Sequence, residues 1–207
     1  MSVEAVMARV AELHSALAPR TPVVAQQAAA PTTQNATQFA TMLNQAGMPS
    51  PVAGVAAGAG TPGAKMVALA QAEVGVKEQP PGSNDSPRIA EFRSATQGAP
   101  GPGPWCAYFT SWAAKNAGVP LGNNGQGFGR VDDVYAWAQS AGKANPISSG
   151  QPPQPGDLIV WDEHIGIVES VKPDGSIQTI EGNSSDAVSR RNYGKDGGGA
   201  IGFVRMS

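Results

Sequence analysis

Along this chain, apolar residues return at steps of three and four in some stretches and at steps of two in others. Near the start, Val3, Val6, Met7, Val10, Leu13 and Leu17 form one apolar stripe closed by Pro19, and Phe39, Met42, Leu43 and Ala46 form a shorter one. Residues 19–38 are rich in Ala, Gln, Thr and Pro, and 47–63 in Gly, Ala and Pro, compositions that bury too little to order themselves. Residues 1–64 are therefore expected to be two amphipathic helices on flexible tethers. Within them, residues 1–46 offer a sticky surface for a partner protein.

The pattern changes at Lys65, where a folded domain running to residue 207 is expected to begin. Met66, Leu69, Ala70 and Val74 give a helical stripe that ends at Gly75. Ser86-Pro87 reads as a second helix start, with Ile89 and Phe92 inward. After a loop holding Pro100, Pro102 and Pro104, a third helix is expected with Phe109, Trp112, Ala113 and Ala117 on one face and Gly118 and Pro120 as the stop. That places Cys106 in its first turn. A fourth helix is expected from Asp132 to Ser140, with Val134, Trp137 and Ala138 inward and Asp132 or Asp133 as the cap.

Beyond Ser140 the period falls to two. Residues 157–161, 164–171, 176–182, 187–193 and 200–205 carry branched or aromatic side chains between turn signals, of which Pro173-Asp174-Gly175 is the clearest. Helices first and antiparallel strands afterwards predict an α+β domain.

Composition narrows the function. Lys and Arg number 14 against 16 Asp and Glu, a net charge of -2, so no basic field would hold nucleic acid or an anionic membrane. No stretch approaches the length of a membrane span, and Glu4, Arg9 and Glu12 stand where a cleavable signal peptide would be apolar. Export by another route is therefore expected. One cysteine forms no internal disulfide, and with two histidines it makes no zinc site, so neither metal nor cofactor is expected.

A lone cysteine is either core filler or a nucleophile, and the position of Cys106 bears on which. Unpaired backbone N–H groups and the macrodipole at a helix N-terminus favour a thiolate. A base is available at His164, the head of His164-Ile165-Gly166-Ile167-Val168, where alternation turns His164, Gly166 and Val168 one way. If residues 172–175 form a four-residue loop, Val171 pairs with Ser176, Gly166 falls opposite Glu181 and His164 opposite Asn183. Glu181 then reaches His164 diagonally across a glycine, and either Glu181 or Asn183 could accept its second ring proton. A two-residue turn would shift the register but keep all of them on one face, whereas a three-residue loop would put them on opposite faces. His14 lies in the tethered segment and is expected to be inert.

The remaining signals point to structure. Gly125, Gly127 and Gly129 follow no strand, which argues against a phosphate loop. Asp132-Asp133 and Asp162-Glu163 lack calcium-loop spacing. Arg190 and Arg191 read as a solvated strand edge. The tryptophans and Tyr108 are expected mostly in the core, although one of them could line a sugar or peptide groove.

Four features stand in order: Pro104-Trp105-Cys106-Ala107-Tyr108-Phe109, Pro155-Gly156-Asp157-Leu158-Ile159-Val160-Trp161, His164-Ile165-Gly166-Ile167-Val168 and Ile180-Glu181-Gly182-Asn183. Together they resemble the CHAP family of cysteine, histidine-dependent amidohydrolases and peptidases, relatives of the papain-like NlpC/P60 hydrolases. The resemblance covers about residues 65–207 and implies a papain-like fold, with the nucleophile helix packed on an antiparallel sheet that carries the base. It implies a peptidoglycan substrate, whose amide would be cut through a thioester, in the bacterial envelope or outside the cell. Carried over, Cys106 matches the nucleophile, His164 the base, and Glu181 and Asn183 the orienting positions. The Cys106 amide would be one oxyanion donor, and Asn84 and Gln97 are candidates for a second. The acidic calcium loop of some members has no clear counterpart. A vestigial wall-binding scaffold and an acyltransferase using the same thioester remain alternatives. The N-terminal segment resembles the helical ends of flagellar rod and hook-base proteins, which implies a flagellar partner.

Overall fold

The computed structural model describes residues 60–206, so both expected N-terminal helices lie outside the described residues. Four helices come first. α1 (Pro62–Ala72) starts ahead of Lys65, because the Thr61 side chain accepts the Ala64 N–H and Pro62 occupies the first turn. α2 (Pro87–Ser94) opens in the same way, with Ser86 Oγ accepting the Ile89 amide at 3.2 Å. α3 (Cys106–Asn116) is buried along most of its length. α4 (Val131–Ser140) starts one residue earlier than expected and corrects its predicted cap: Arg130 is the N-cap residue and makes no side-chain cap bond. Asp132 and Asp133 stand in the exposed first turn, where the helix dipole still favours a carboxylate. Val134 and Ala138 are buried, whereas Trp137 is half-buried against Phe128 and donates to Asn123.

Six short strands follow: β1 (Ala144–Pro146), β2 (Leu158–Val160), β3 (Ile165–Val171), β4 (Ile177–Glu181), β5 (Ser189–Tyr193) and β6 (Gly202–Val204). They form one antiparallel sheet in the order β1-β6-β2-β3-β4-β5, so the α+β class expected from the sequence is the class observed. Alternation divides the strand residues between two faces. Leu158, Val160, Ile165, Ile167 and Ile180 join Phe92, Trp105, Phe109 and Trp112 in the main core. Ile159, Val168, Ile177 and Phe203 make a smaller cluster with Trp161 on the other side.

The β3–β4 hairpin corrects the predicted register. Val171 pairs with Ile177, so the connection has one residue more than the four-residue loop expected. Alone, that slip would turn every later side chain of the hairpin to the opposite face. A bulge at Glu169 takes the extra residue back, and Ile167 pairs with Ile180, the register the four-residue loop would have given. The bulged carboxylate is anchored by Arg190 at 2.8 Å and by Gln71 of α1 at 2.8 Å. Glu181 and His164 consequently end up at the same end of the sheet.

Candidate active site

The nucleophile candidate is placed by packing. Trp105, fully buried, stacks on Phe92 and donates its indole N–H to Glu78 at 2.9 Å. Glu78 is itself buried and also accepts the Asn84 amide at 2.8 Å. On its sheet side, Trp105 meets Gly182, where an added Cβ would lie 2.9 Å from the indole and 2.6 Å from Phe109 Cβ. A side chain at position 182 would therefore push the start of α3 off the end of β4. The first amide of α3 with a helical acceptor is that of Phe109, bonded to the Trp105 carbonyl at 2.9 Å. The amides of Cys106, Ala107 and Tyr108 have no acceptor among the described residues, as the first turn of a helix requires.

The base candidate is placed by hydrogen bonds. His164 Nε2 lies 2.9 Å from Glu181 Oε2, and Glu181 is 1% exposed. Glu181 reaches it over Gly166, whose missing Cβ would stand 2.7 Å from Glu181 Cγ. The other carboxylate oxygen accepts Thr179 Oγ1 at 2.5 Å and Tyr193 Oη at 2.9 Å. Trp161 covers the imidazole, its ring 5.6 Å from that of His164 and 5.0 Å from that of Tyr193, and its indole N–H donates to the Gly197 carbonyl.

The Cys106 sulfur acts on the same imidazole electrostatically and favours its protonated form. With Nε2 committed to Glu181, Nδ1 is the ring nitrogen left to serve the sulfur. Burial pushes the His164 pKa down, but Cys106 and Glu181 outweigh it and raise the value to about 9. Burial likewise works against the Glu181 carboxylate, yet His164 and Thr179 hold its pKa below the usual range. Tyr193 moves to about 12, through burial and the adjacent Glu181 charge. The arrangement thus keeps an imidazolium against an ionised carboxylate at neutral pH.

Cys106, His164 and Glu181 are therefore brought together. Asn183 lies just beyond, half-buried at a left-handed φ of 58°, and makes no hydrogen bond to His164. Of these four residues, Cys106 lines a cavity of about 460 Å³, walled by Pro100–Pro104, Tyr108, the start of α4, Asp162 and Glu163. Neither Asn84 nor Gln97, the candidates for a second oxyanion donor, lines it. The sequence reading missed Thr179, Tyr193, Trp161 and Glu78. Only Thr179 left a signal, since it stands two residues before Glu181 and so shares its face. Among the described residues, no group of three or more His, Cys, Asp or Glu could hold a metal ion, and no helix is long and apolar enough to cross a membrane.

No curated protein matches the chain. A comparison with protein-family models matches residues 98–183 to the CHAP domain, a span that runs from the loop before Cys106 to Asn183. Over this segment the chain is similar to the CHAP domain family, whose members are generally cysteine- and histidine-dependent amidohydrolases or peptidases.

Proposed function

We propose that the chain hydrolyses an amide bond of peptidoglycan, either the muramoyl-L-alanine amide or a bond within the stem or cross-bridge peptide. The observation that carries this reading is the imidazole of His164, held by Glu181 at 2.9 Å through Nε2 while Cys106 raises its pKa from the other side of the site. A Cys–His pair whose base is oriented by a third group is the arrangement needed for acyl transfer through a thioester.

In this mechanism the Cys106 sulfur attacks the substrate carbonyl, and the resulting oxyanion is met by unpaired amides at the start of α3. The tetrahedral intermediate collapses as His164 gives its proton to the departing amine nitrogen. That leaves an acyl thioester on Cys106 and a neutral imidazole. His164 then takes a proton from water, hydroxide adds to the thioester carbonyl, and collapse releases the carboxylic acid product and the Cys106 thiolate. Glu181 keeps the ring in position and balances its charge in both halves. The site of action that follows is the cell envelope or its exterior.

The test is digestion of purified peptidoglycan by the full chain and by Cys106→Ala, with fragments identified by mass spectrometry. Wild-type protein is expected to release one class of new amine and carboxyl termini, and the variant none. Equal release by the variant would rule out the nucleophile. Wall binding with no release by either protein would support the scaffold reading, and acyl transfer to an added amine would support a transferase.

A further inference from the structure

Tyr108 follows Cys106 by two residues on α3 and is 6% exposed. Its hydroxyl has no hydrogen-bond partner among the described residues, in contrast to Tyr193, whose hydroxyl donates to Glu181. Burying a phenol without a partner forfeits the hydrogen bonds its hydroxyl would make to water. Structures rarely accept that cost. The oxygen is not sealed, however: among the described residues the side-chain polar atom both fully buried and unpartnered is Arg93 Nε. The small accessible part of Tyr108 forms the wall of the cavity that Cys106 also lines. This is therefore a donor held in place, with its partner position facing the cleft.

The ring is fixed by a close approach on the opposite wall. A Cβ at Gly129 would stand 2.5 Å from Tyr108 Cζ and Oη, so the phenol end lies directly on bare backbone. The charges nearby limit what the hydroxyl can bind. Asp132, Asp162 and Glu163 line the same cavity, and its one guanidinium, Arg130, lies 3.6 Å from Asp132. An anionic acceptor would enter an already acidic cleft, whereas an uncharged carbonyl would not meet that repulsion.

We propose that Tyr108 is a substrate-binding residue whose hydroxyl donates to an uncharged carbonyl oxygen of the peptide bound beside Cys106. The assignment rests on the reading of this cleft as an amide hydrolase site. It adds a side-chain contact that fixes where the peptide lies along α3.

Tyr108→Phe removes the oxygen and keeps the ring against Gly129, so the fold is retained. In the full chain, KM for a soluble muramoyl peptide is expected to rise about three- to tenfold, the worth of one neutral hydrogen bond, with kcat little changed. An unchanged KM, or a loss confined to kcat, would overturn the assignment. A second measurement does not depend on turnover. Titration of the same peptide into Cys106→Ala, with and without Tyr108→Phe, should show Kd weakened by the same factor in the double variant. Equal Kd values overturn the role of Tyr108 while leaving the hydrolase reading intact. Absence of binding to Cys106→Ala, together with no cleavage by the wild type, overturns both.

Discussion

The two walls of the site are held in different ways. On the sheet wall, His164 is fixed by a chain of hydrogen bonds that runs through Glu181 to Thr179 and Tyr193. On the helix wall, Cys106 is positioned by the packing of Trp105 and Phe109 against Phe92 and Gly182, with one polar tether to Glu78. The contrast follows from what each group must do. A base has to hold a defined tautomer and charge, which only directed polar partners can specify. A nucleophile on a helix has to be held at one depth, and a close-packed aromatic core does that without placing further charge beside the sulfur.

Breaking the polar wall outright should have the largest effect. His164→Ala is expected to lower kcat/KM by about 10²- to 10⁴-fold, the usual worth of a general base, with a native circular-dichroism spectrum because the aromatic core does not depend on it. Glu181→Gln keeps the shape and removes the charge, and a loss of about ten- to a hundredfold is expected. Its pH dependence is the sharper readout. In the wild type, His164 stays protonated until the pH rises through about 9, so the imidazolium contributes fully below its ordinary value of 6.5 and is lost towards 9. Without the Glu181 charge the alkaline limb should move to lower pH, which NMR titration of His164 would follow directly. A limb that stays near 9 would mean that Glu181 does not set the charge of the base.

Breaking the packed wall should register mainly as stability. Gly182→Ala adds a methyl group against Trp105 and Phe109 and is expected to cost about 1–3 kcal/mol in urea unfolding. Any accompanying loss of activity should come without a shift in the His164 titration. If that titration did shift, the two walls would be coupled rather than separately built. The smallest effect is expected from Tyr193→Phe, which removes one of three donors to Glu181 and should lower kcat/KM about two- to tenfold.

The two walls were also unequally legible in the sequence. The helix wall followed from local rules: Ser86-Pro87 as a helix start, and the proline-rich loop that ends at Trp105-Cys106. The sheet wall was read in outline, with His164 and Glu181 on one hairpin, but the loop length was wrong by one residue and the bulge at Glu169 restored the register. That bulge is held by Arg190 from a neighbouring strand and Gln71 from α1, so nothing within the hairpin announces it. The same reason hid Tyr193, which reaches Glu181 from the next strand. β1 escaped because Ala144-Asn145-Pro146 has no alternation, and its proline is tolerated at a sheet edge. Asp132 and Asp133 looked like caps because their side chains suit that role, yet the helix begins one residue earlier.

The central claim is that the one cysteine of the chain carries the acyl group. Its most direct test is a rapid-quench experiment in which the full chain is mixed with a muramoyl peptide, acidified within a single turnover and analysed by peptide mass spectrometry. The account predicts an acyl adduct on the fragment containing Cys106, formed faster than free acid appears and absent from His164→Ala on that timescale. Release of the acid at full rate with no adduct on Cys106 would contradict it.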